Sequence, residues 1–167
     1  EETLQSAAEA LAAEREADLA ALMLLDEESD ELSLDAGVGY PEGVVGHARI
    51  PVGEGVVGWV AEHREPVLVP DKREEPRSID LEQVELVTRS ELCVPMITGG
   101  RCIGVINVES RQINAFTEDD LRLLTTLAGN MAVLVERARL TEETRYRAQQ
   151  LAAINEVGQA MTSVLDP

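Results

Sequence analysis

The sequence has few basic residues: 14 lysines and arginines stand against 32 aspartates and glutamates, giving a formal net charge of −18. A field of this sign disfavours nonspecific binding to nucleic acids and anionic membranes, because both are negatively charged. Twelve carboxylates lie within residues 1–35, where Arg15 is the only basic residue. We interpret this segment as a solvated surface that aids solubility. We therefore expect no nucleic-acid and no membrane partner.

Long apolar runs are also absent. Apolar residues make up 44% of the 167 residues, enough for a hydrophobic core, yet no run approaches the ~20 residues that span a bilayer. The first residues, Glu1 and Glu2, do not resemble the basic segment that opens a secretory signal peptide. The length suits one domain with some additional helix. These features predict a cytoplasmic protein.

The sequence holds only two cysteines, Cys93 and Cys102, which excludes a disulfide scaffold. They lie on two apolar segments joined by Gly99-Gly100, a pair typical of a two-residue hairpin turn. This turn predicts that Ile97 pairs with Cys102 and that Cys93 lies opposite Ile106. The two sulfurs would then be on one face about 13 Å apart, too far for a bridge. We expect both thiols to be reduced and packed in the core.

Helical and strand periodicities alternate along the chain. Leu4, Ala8 and Leu11 recur at helical spacing, whereas Leu32 and Leu34 alternate with polar residues as in a strand. The predicted elements begin with a helix at residues 4–17, a hairpin at 18–37, a short helix at 56–64 and a strand at 67–69. A short helix at 80–87, a hairpin at 92–108 and a long helix from 117 onward follow. This order predicts an α+β fold with an antiparallel sheet. Terminal helices would cover one face, and loops and short helices the other.

The last two helices have candidate N-caps. Asp80 can cap the helix over residues 80–87, and Thr117, followed by three acidic residues, can cap the long helix. The apolar hairpin between these helices shows no polar face. We therefore expect the hairpin at the centre of the sheet, covered on both sides.

Residues 53–61 contain the spacing G-x-G-x-x-G of a dinucleotide-binding loop. That loop must leave a buried central strand. Here the preceding strand, residues 50–52, contains Pro51, which a central strand does not accept. Glu54 would also place a carboxylate beside the pyrophosphate. The motif therefore does not predict dinucleotide binding.

Several short segments together resemble the GAF domain family over roughly residues 4–140. They are residues 20–26, 53–61, 66–71, 90–95, 104–106, 116–120 and 136–140. The resemblance implies a GAF-like central antiparallel sheet of five or six strands, with helices from both termini on one face. It implies a small-molecule pocket beneath loops on the other face. It also implies a sensory or regulatory module of a signalling protein, which is not an enzyme.

The resemblance places candidate ligand-binding residues on the short helix, on the loop after residue 69 and at the start of the next strand. They are Trp59, Asp71, Arg77, Ser90, Glu91 and Cys93. We expect an unidentified small-molecule ligand there, with no cofactor and no catalytic residue. The two histidines and two cysteines lack zinc-site spacing, so we expect no metal. The alternative is a ligand-free structural spacer that only dimerises.

Cyclic-nucleotide-binding members of the family carry an N-K…F-x-x-x-D-E signature. Phe116 and Asp120 match its second half, but Leu121 replaces the glutamate and Ser110-Arg111 stand in place of Asn-Lys. These departures disfavour a cyclic nucleotide.

Bilin-binding members need a thiol near the pocket, usually beside a histidine. Neither histidine adjoins a cysteine, and four aromatic residues are few for a tetrapyrrole cavity.

A further subset of the family reduces free methionine sulfoxide with catalytic cysteines. Residues 90–95 resemble that subset, which makes a thiol-dependent reductase the alternative function. However, Cys93 stands where a packed strand residue is expected, and residues 37–89 contain no cysteine. We therefore favour the sensory module over the enzyme.

The C-terminal segment predicts a dimer. The positions Leu140, Thr144, Arg147, Leu151, Ile154, Gly158, Met161 and Leu165 are spaced alternately by four and three residues, as in a heptad seam. We divide the chain into a GAF domain at residues 1–140 and a linker helix at 141–167. This helix would lead to a downstream signalling domain, such as a further sensor or a histidine kinase. We expect a parallel homodimer, with Leu4 and Leu11 of the N-terminal helix joining the bundle.

Overall fold

A computed structural model describes residues 2–15, 17–82 and 84–165. The chain divides into two compact units, Glu1–Ala132 and Val133–Pro167. Its elements are α1 (Glu2–Arg15), β1 (Leu19–Asp26), β2 (Glu31–Val38), β3 (Arg49–Pro51), α2 (Gly55–His63), β4 (Val67–Val69), a 3-10 turn (Lys72–Glu74), β5 (Ser90–Thr98), β6 (Arg101–Ser110) and α3 (Glu118–Leu165). The strands form one antiparallel sheet in the order β3-β2-β1-β6-β5-β4. The predicted α+β fold is confirmed.

The centre of the sheet is formed by β1 and β6. Both strands are buried on both faces: Leu22 and Ile106 are fully enclosed on one side, and Met23 and Val105 on the other. The expectation of a covered hairpin is therefore confirmed. Pro51 lies in the edge strand β3, where its missing N–H removes no central ladder bond.

The register of the β5–β6 hairpin differs from the prediction. Ile97 pairs with Cys102 as expected, but a bulge next to this pair shifts the register, and Cys93 lies opposite Asn107 rather than Ile106. Gly104 follows the bulge, and its backbone closely approaches β1. A Cβ atom at this position would lie 2.2 Å from the Met23 carbonyl oxygen, which explains the glycine. A shift of one residue turns every later side chain to the opposite face. The predicted pairing of Cys93 with Ile106 is therefore wrong, and Asn107 shares the face of Cys93 instead.

The two faces of the sheet pack against different elements. On one face α1 packs against β1 and β2, and the Gln5 amide exchanges hydrogen bonds of 3.0 and 3.2 Å with the Gly37 backbone. On the other face α2 packs over β3, β5 and β6, and its valines join a core with the inward side chains of the strands. We refer to this second side as the loop face.

The segment between the 3-10 turn and β5 crosses the loop face. The helix predicted for residues 80–87 is wrong, because residues 80–82 and 84–87 are irregular. The Asp80 carboxylate accepts a hydrogen bond of 2.7 Å from Lys72 Nζ, so it binds a cation where the prediction required a helix cap. Ile79, Leu81, Val84 and Leu86 line a cavity on this face instead of forming a helical stripe.

The start of α3 has the predicted cap. The Thr117 backbone N–H donates to Asp120 Oδ2 at 2.8 Å, and the Asp120 N–H donates to Thr117 Oγ1 at 3.3 Å, which is a reciprocal capping box. Leu124, Ala128 and Ala132 are spaced four apart and buried, so this first part of α3 has one packed face.

In the second unit, α3 continues through Gly158 to Leu165, although glycine is a poor helix former. Its apolar residues Leu140, Leu151, Ile154 and Met161 are more than half exposed. The side chains of Leu4, Leu11 and Leu165 lie outside the described residues. The domain boundary at residue 140 stays a prediction. No described helix combines the length and apolar character required to cross a bilayer.

Candidate functional site

A cavity lies on the loop face between the sheet and the segment that precedes β5. It occupies about 560 Å³, including the part open to solvent. Its walls are Leu19, Met23, Leu34, Tyr40, Ile50, Val56, Val57, Lys72, Ile79, Asp80, Leu81, Val84, Leu86, Glu91, Asn107 and Glu109.

Two glycines in the first turns of α2 shape one wall of the cavity. A Cβ atom at Gly55, where φ is +68°, would lie 2.6 Å from Ile79 Cγ1, so glycine allows Ile79 to pack onto the start of α2. A Cβ atom at Gly58 would lie 2.5 Å from the Pro51 carbonyl oxygen, so this glycine brings α2 against β3. Two of the three glycines of the G-x-G-x-x-G spacing, Gly55 and Gly58, are thus explained by close packing of α2.

Two glutamates face each other on the floor of the cavity. Glu91 of β5 is the direct cross-strand partner of Glu109 of β6, and Glu91 is 3% exposed. Like charges at such a pair are destabilising. Asn107, two residues before Glu109 and therefore on the same face, is also buried and donates from Nδ2 to Glu109 Oε1 at 3.1 Å.

Lys72 is the only lysine in the sequence, and its ammonium group is buried beside this pair. Its Nζ donates to Asp80 Oδ1 at 2.7 Å, to Glu109 Oε2 at 2.9 Å and to Thr88 Oγ1 at 3.0 Å. The Thr88 hydroxyl in turn donates to Glu109 Oε2. An ammonium group has three N–H donors, so the three acceptors use all of them.

The cavity lining has more carboxyl groups than cations, because one lysine stands against Asp80, Glu91 and Glu109. Burial raises the pKa of Glu91 to about 8, and the charge of Glu109 adds to this, while Lys72 and a hydrogen bond from Asn107 oppose it. Burial alone would lower the pKa of Lys72, but Glu109 and Asp80 outweigh it and raise that pKa. At neutral pH the ligand-free floor therefore keeps a proton on Glu91.

Two further polar groups belong to this floor. The Asn107 side-chain oxygen is buried and has no hydrogen-bond donor in the part of the chain that the structure describes. The amide orientation follows from the acceptor at Glu109, which requires the NH₂ group on that side. Burial, followed by the charges of Glu109 and Glu91, raises the pKa of Tyr40, so its hydroxyl stays protonated.

Of the six predicted site residues, Glu91 is the one that lines the cavity. Cys93 lies on the same face of β5 but is enclosed in the core cluster, and burial raises the pKa of its thiol. Ser90 points to the opposite face and donates from Oγ to the Gln112 carbonyl oxygen at 2.6 Å. Ser90 therefore anchors the connection between β6 and α3.

The other three predicted residues form ion pairs and ring contacts away from the lining. Trp59 stacks on His63 with ring centroids 4.1 Å apart, and the Arg77 guanidinium lies 4.5 Å from the centre of the indole. Arg77 also pairs with Glu75. Asp71 caps the 3-10 turn and binds Arg73, whose hydrogen bonds hold the pKa of Asp71 well below its usual value. A role of these three in ligand binding stays a prediction.

Sequence reasoning missed Lys72, Asn107 and Glu109 as members of this site. Two signals were present: Asn107 and Glu109 are polar residues directly after the apolar run 102–106 of β6, and Lys72 is a lone lysine among 13 arginines. A compact ammonium with three rotatable donors suits a buried three-acceptor site better than a planar guanidinium does.

The family described as GAF domain matches residues 1–136. The chain belongs to the GAF domain family. A relative is the dual 3',5'-cyclic-AMP and -GMP phosphodiesterase 11A of Takifugu rubripes, 30% identical over 119 residues, which are 67% of this chain and 13% of the enzyme. The first five curated relatives are matched over 13% to 52% of their own length. The homologues are GAF-containing signalling proteins.

Solved structures show the same GAF fold. The GAF domain of a phosphoenolpyruvate-protein phosphotransferase from Coxiella burnetii is 27% identical, with a TM-score of 0.78 and 85% of each chain covered. Free methionine-R-sulfoxide reductase from Neisseria meningitidis, solved in complex with its substrate, is 32% identical. Its TM-score is 0.73, with 83% of this chain and 78% of that chain covered. The fold is thus shared by domains of larger proteins and by an enzyme.

Proposed function

We propose that this chain is a non-enzymatic regulatory GAF module, which binds a small molecule in the loop-face cavity and relays occupancy through α3 to a downstream domain. The observation that carries the proposal is the buried group of ionisable side chains in this cavity. Burying charge is costly unless it is compensated, and a fold without a ligand would be better served by apolar side chains. A concave apolar pocket with a few convergent polar groups is typical of a small-molecule site.

A route from the cavity to α3 runs along β5 and β6. Glu91 and Glu109 form the floor, and their neighbours Ser90 and Ser110 begin the connection toward α3. Ser90 Oγ binds the Gln112 carbonyl oxygen, and the Arg89 N–H donates to the Ser110 carbonyl oxygen at 2.7 Å. A small change in the pairing of the two glutamates therefore acts directly on the strand ends that precede α3.

The exposed seam of α3 supports a dimer of this chain as the form that transmits the change. Leu151 and Ile154 are 64% and 67% exposed, and Leu140 and Met161 continue the same heptad seam. Soluble monomers rarely expose such a continuous apolar stripe. Thr144 and Arg147 interrupt the middle of the seam, which leaves a weaker region where helix packing can change.

The dimer is tested by replacing two seam residues. Sedimentation of the wild-type protein at tens of micromolar is expected to give a dimer, and Leu151→Gln with Ile154→Gln is expected to weaken association at least about tenfold, because both side chains lose buried apolar area. Tyr146→Gln is the matched control at an outer heptad position. A wild-type monomer, or equal association of all three proteins, would contradict the dimer.

The ligand-binding part is tested by native mass spectrometry of freshly purified protein and by NMR screening of small metabolites. The expected result is a bound molecule that perturbs the methyl signals of Met23 and Val56, two cavity walls. If no molecule of any charge class binds there, the spacer alternative replaces the sensor.

Reduction of free methionine sulfoxide is the second candidate, favoured by the 32% identity with the Neisseria enzyme. The chemistry of the thiols opposes it: Cys93 and Cys102 are both buried, and burial raises the pKa of both. A thiol reductase needs an accessible thiolate. The proposal therefore expects no turnover of free methionine sulfoxide. Turnover that is lost in Cys93→Ser or Cys102→Ser would establish the enzyme instead.

A further inference from the structure

We infer that the ligand of the loop-face cavity is a small organic cation, a primary ammonium group with a short apolar substituent, whose charged end lies beside Glu91 and Asn107. This inference rests on the proposed ligand-binding function and names the chemical class of the ligand.

The first reason is the unbalanced pair of glutamates. Glu91 is buried and its direct cross-strand neighbour Glu109 is 13% exposed, so their mutual repulsion is weakly screened. Lys72 offsets one of the charges and is itself shared with Asp80. A second cation would allow both glutamates to be ionised together.

The second reason is the count of hydrogen-bond donors. All three N–H donors of Lys72 are engaged by Asp80, Thr88 and Glu109, so the lysine has none left for Glu91. The buried Asn107 Oδ1 receives no hydrogen bond from the described residues. A ligand that brings several N–H donors and no acceptor matches this need, and an ammonium group has this character.

The third reason is the combination of size and polarity. Part of the 560 Å³ is open to solvent, so the enclosed space suits a short group, and its remaining walls are apolar side chains such as Met23, Leu34 and Val56. A short hydrocarbon substituent would pack against these walls, whereas a phosphate or carboxylate would meet the carboxylates of Asp80 and Glu109. The acidic floor thus disfavours a cyclic nucleotide on electrostatic grounds.

Binding of such a cation would be coupled to proton release. In the free protein Glu91 keeps its proton up to about pH 8. The titratable or charged groups near it are Glu109 of β6, Lys72 of the 3-10 turn, Arg77 and Asp80 of the following segment, Tyr40 of the loop after β2 and Cys93 of its own strand. A bound ammonium favours ionised Glu91. The affinity should therefore rise with pH up to about 8 and level off above that value.

The test uses three probes of matched shape on the full chain: n-propylammonium, 1-propanol and propionate. Binding is followed at about pH 7.5 and constant ionic strength by the NMR methyl signals of Met23 and Val56, which separates the cavity from the acidic surface. We expect n-propylammonium to bind at least about tenfold more tightly than the other two probes, because only its ammonium group can donate a charge-assisted hydrogen bond to the acidic floor.

Glu91→Gln keeps the shape of the side chain and removes its charge, and Glu65→Gln is the control, which removes one exposed carboxylate. The preference for n-propylammonium and its pH dependence should be lost in Glu91→Gln and retained in Glu65→Gln. Equal binding of propanol and propylammonium, or tighter binding of propionate, would overturn the inference while leaving a ligand-binding cavity. Absence of binding by all three probes would overturn the inference, and the metabolite screen then decides the proposed function separately.

Discussion

The two faces of the β5–β6 hairpin carry side chains of opposite character, although they belong to the same strands. On the face opposite the loop face, Leu92, Val94 and Ile106 are fully buried and purely apolar. On the loop face, Glu91, Asn107 and Glu109 occupy alternating positions of the same two strands. The apolar face contributes stability through packing. The loop face instead holds charges that burial penalises, which is the pattern of a site retained for binding.

Removing the cation of the loop face should have the largest effect on stability. Lys72→Met leaves the ionised Glu109 and Asp80 without their shared partner, so we expect a loss of about 3–5 kcal/mol in the free energy of unfolding near pH 7. Urea unfolding measures this loss. Arg122→Met, which removes an exposed cation, is the matched control and should change stability by less than about 1 kcal/mol. Equal effects of the two substitutions would show that the buried cluster is not charged.

Truncating the apolar face should follow closely. Ile106→Ala removes a fully enclosed side chain and should cost about 2–4 kcal/mol in the same measurement, because the remaining cavity cannot collapse completely. Ile97→Ala, at a 36% exposed position of the same hairpin, should cost clearly less. Unlike Lys72→Met, the Ile106→Ala loss should not depend on pH. A pH-dependent loss would mean that the two faces are not independent.

Raising the pH should destabilise the protein through Glu91. The pKa of Glu91 is raised from 4.5 to about 8 by folding, so the folded state binds one more proton than the unfolded state between these values. The contribution of Glu91 to stability is therefore largest below about pH 4.5 and is lost as the pH rises toward 8, by a few kcal/mol. Urea unfolding of the wild type and Glu91→Gln across this range isolates the effect. Parallel curves for the two proteins would exclude it.

Changing the exposed end of the cluster should have the smallest effect. Asp80 binds Lys72, but its side chain is 70% exposed. Asp80→Asn should therefore change stability by less than about 1 kcal/mol, because solvent screens the lost charge. It should also leave the titration of Glu91 nearly unchanged. A loss as large as that of Lys72→Met would show that Asp80 is the principal partner of the lysine.

Local patterns predicted most of the fold. Periodicity separated strands from helices, Pro51 placed its strand at an edge, and Thr117 marked the start of α3. The predicted register of the hairpin was wrong because it followed from the position of the turn alone. The glycine at position 104, inside a strand, was the signal of a bulge.

The candidate site was less predictable than the fold. Glu91 was identified, but its pairing with Glu109 depends on the shifted register, which sequence spacing does not contain. Lys72 comes from an element 37 residues before Glu109, and their contact is formed only by tertiary packing. The prediction that Asp80 caps a helix was wrong for the same reason. A carboxylate locally favours a helix N-terminus, but Asp80 instead binds the buried ammonium group of Lys72.

The most direct test of the account is an NMR titration of the Glu91 side-chain carboxyl carbon, assigned by its absence in Glu91→Gln. The account predicts a midpoint near pH 8 in the free protein, and a clearly lower midpoint when n-propylammonium is present. A midpoint near the ordinary glutamate value of about 4.3, with or without the amine, would contradict a buried, charge-sensing cavity floor.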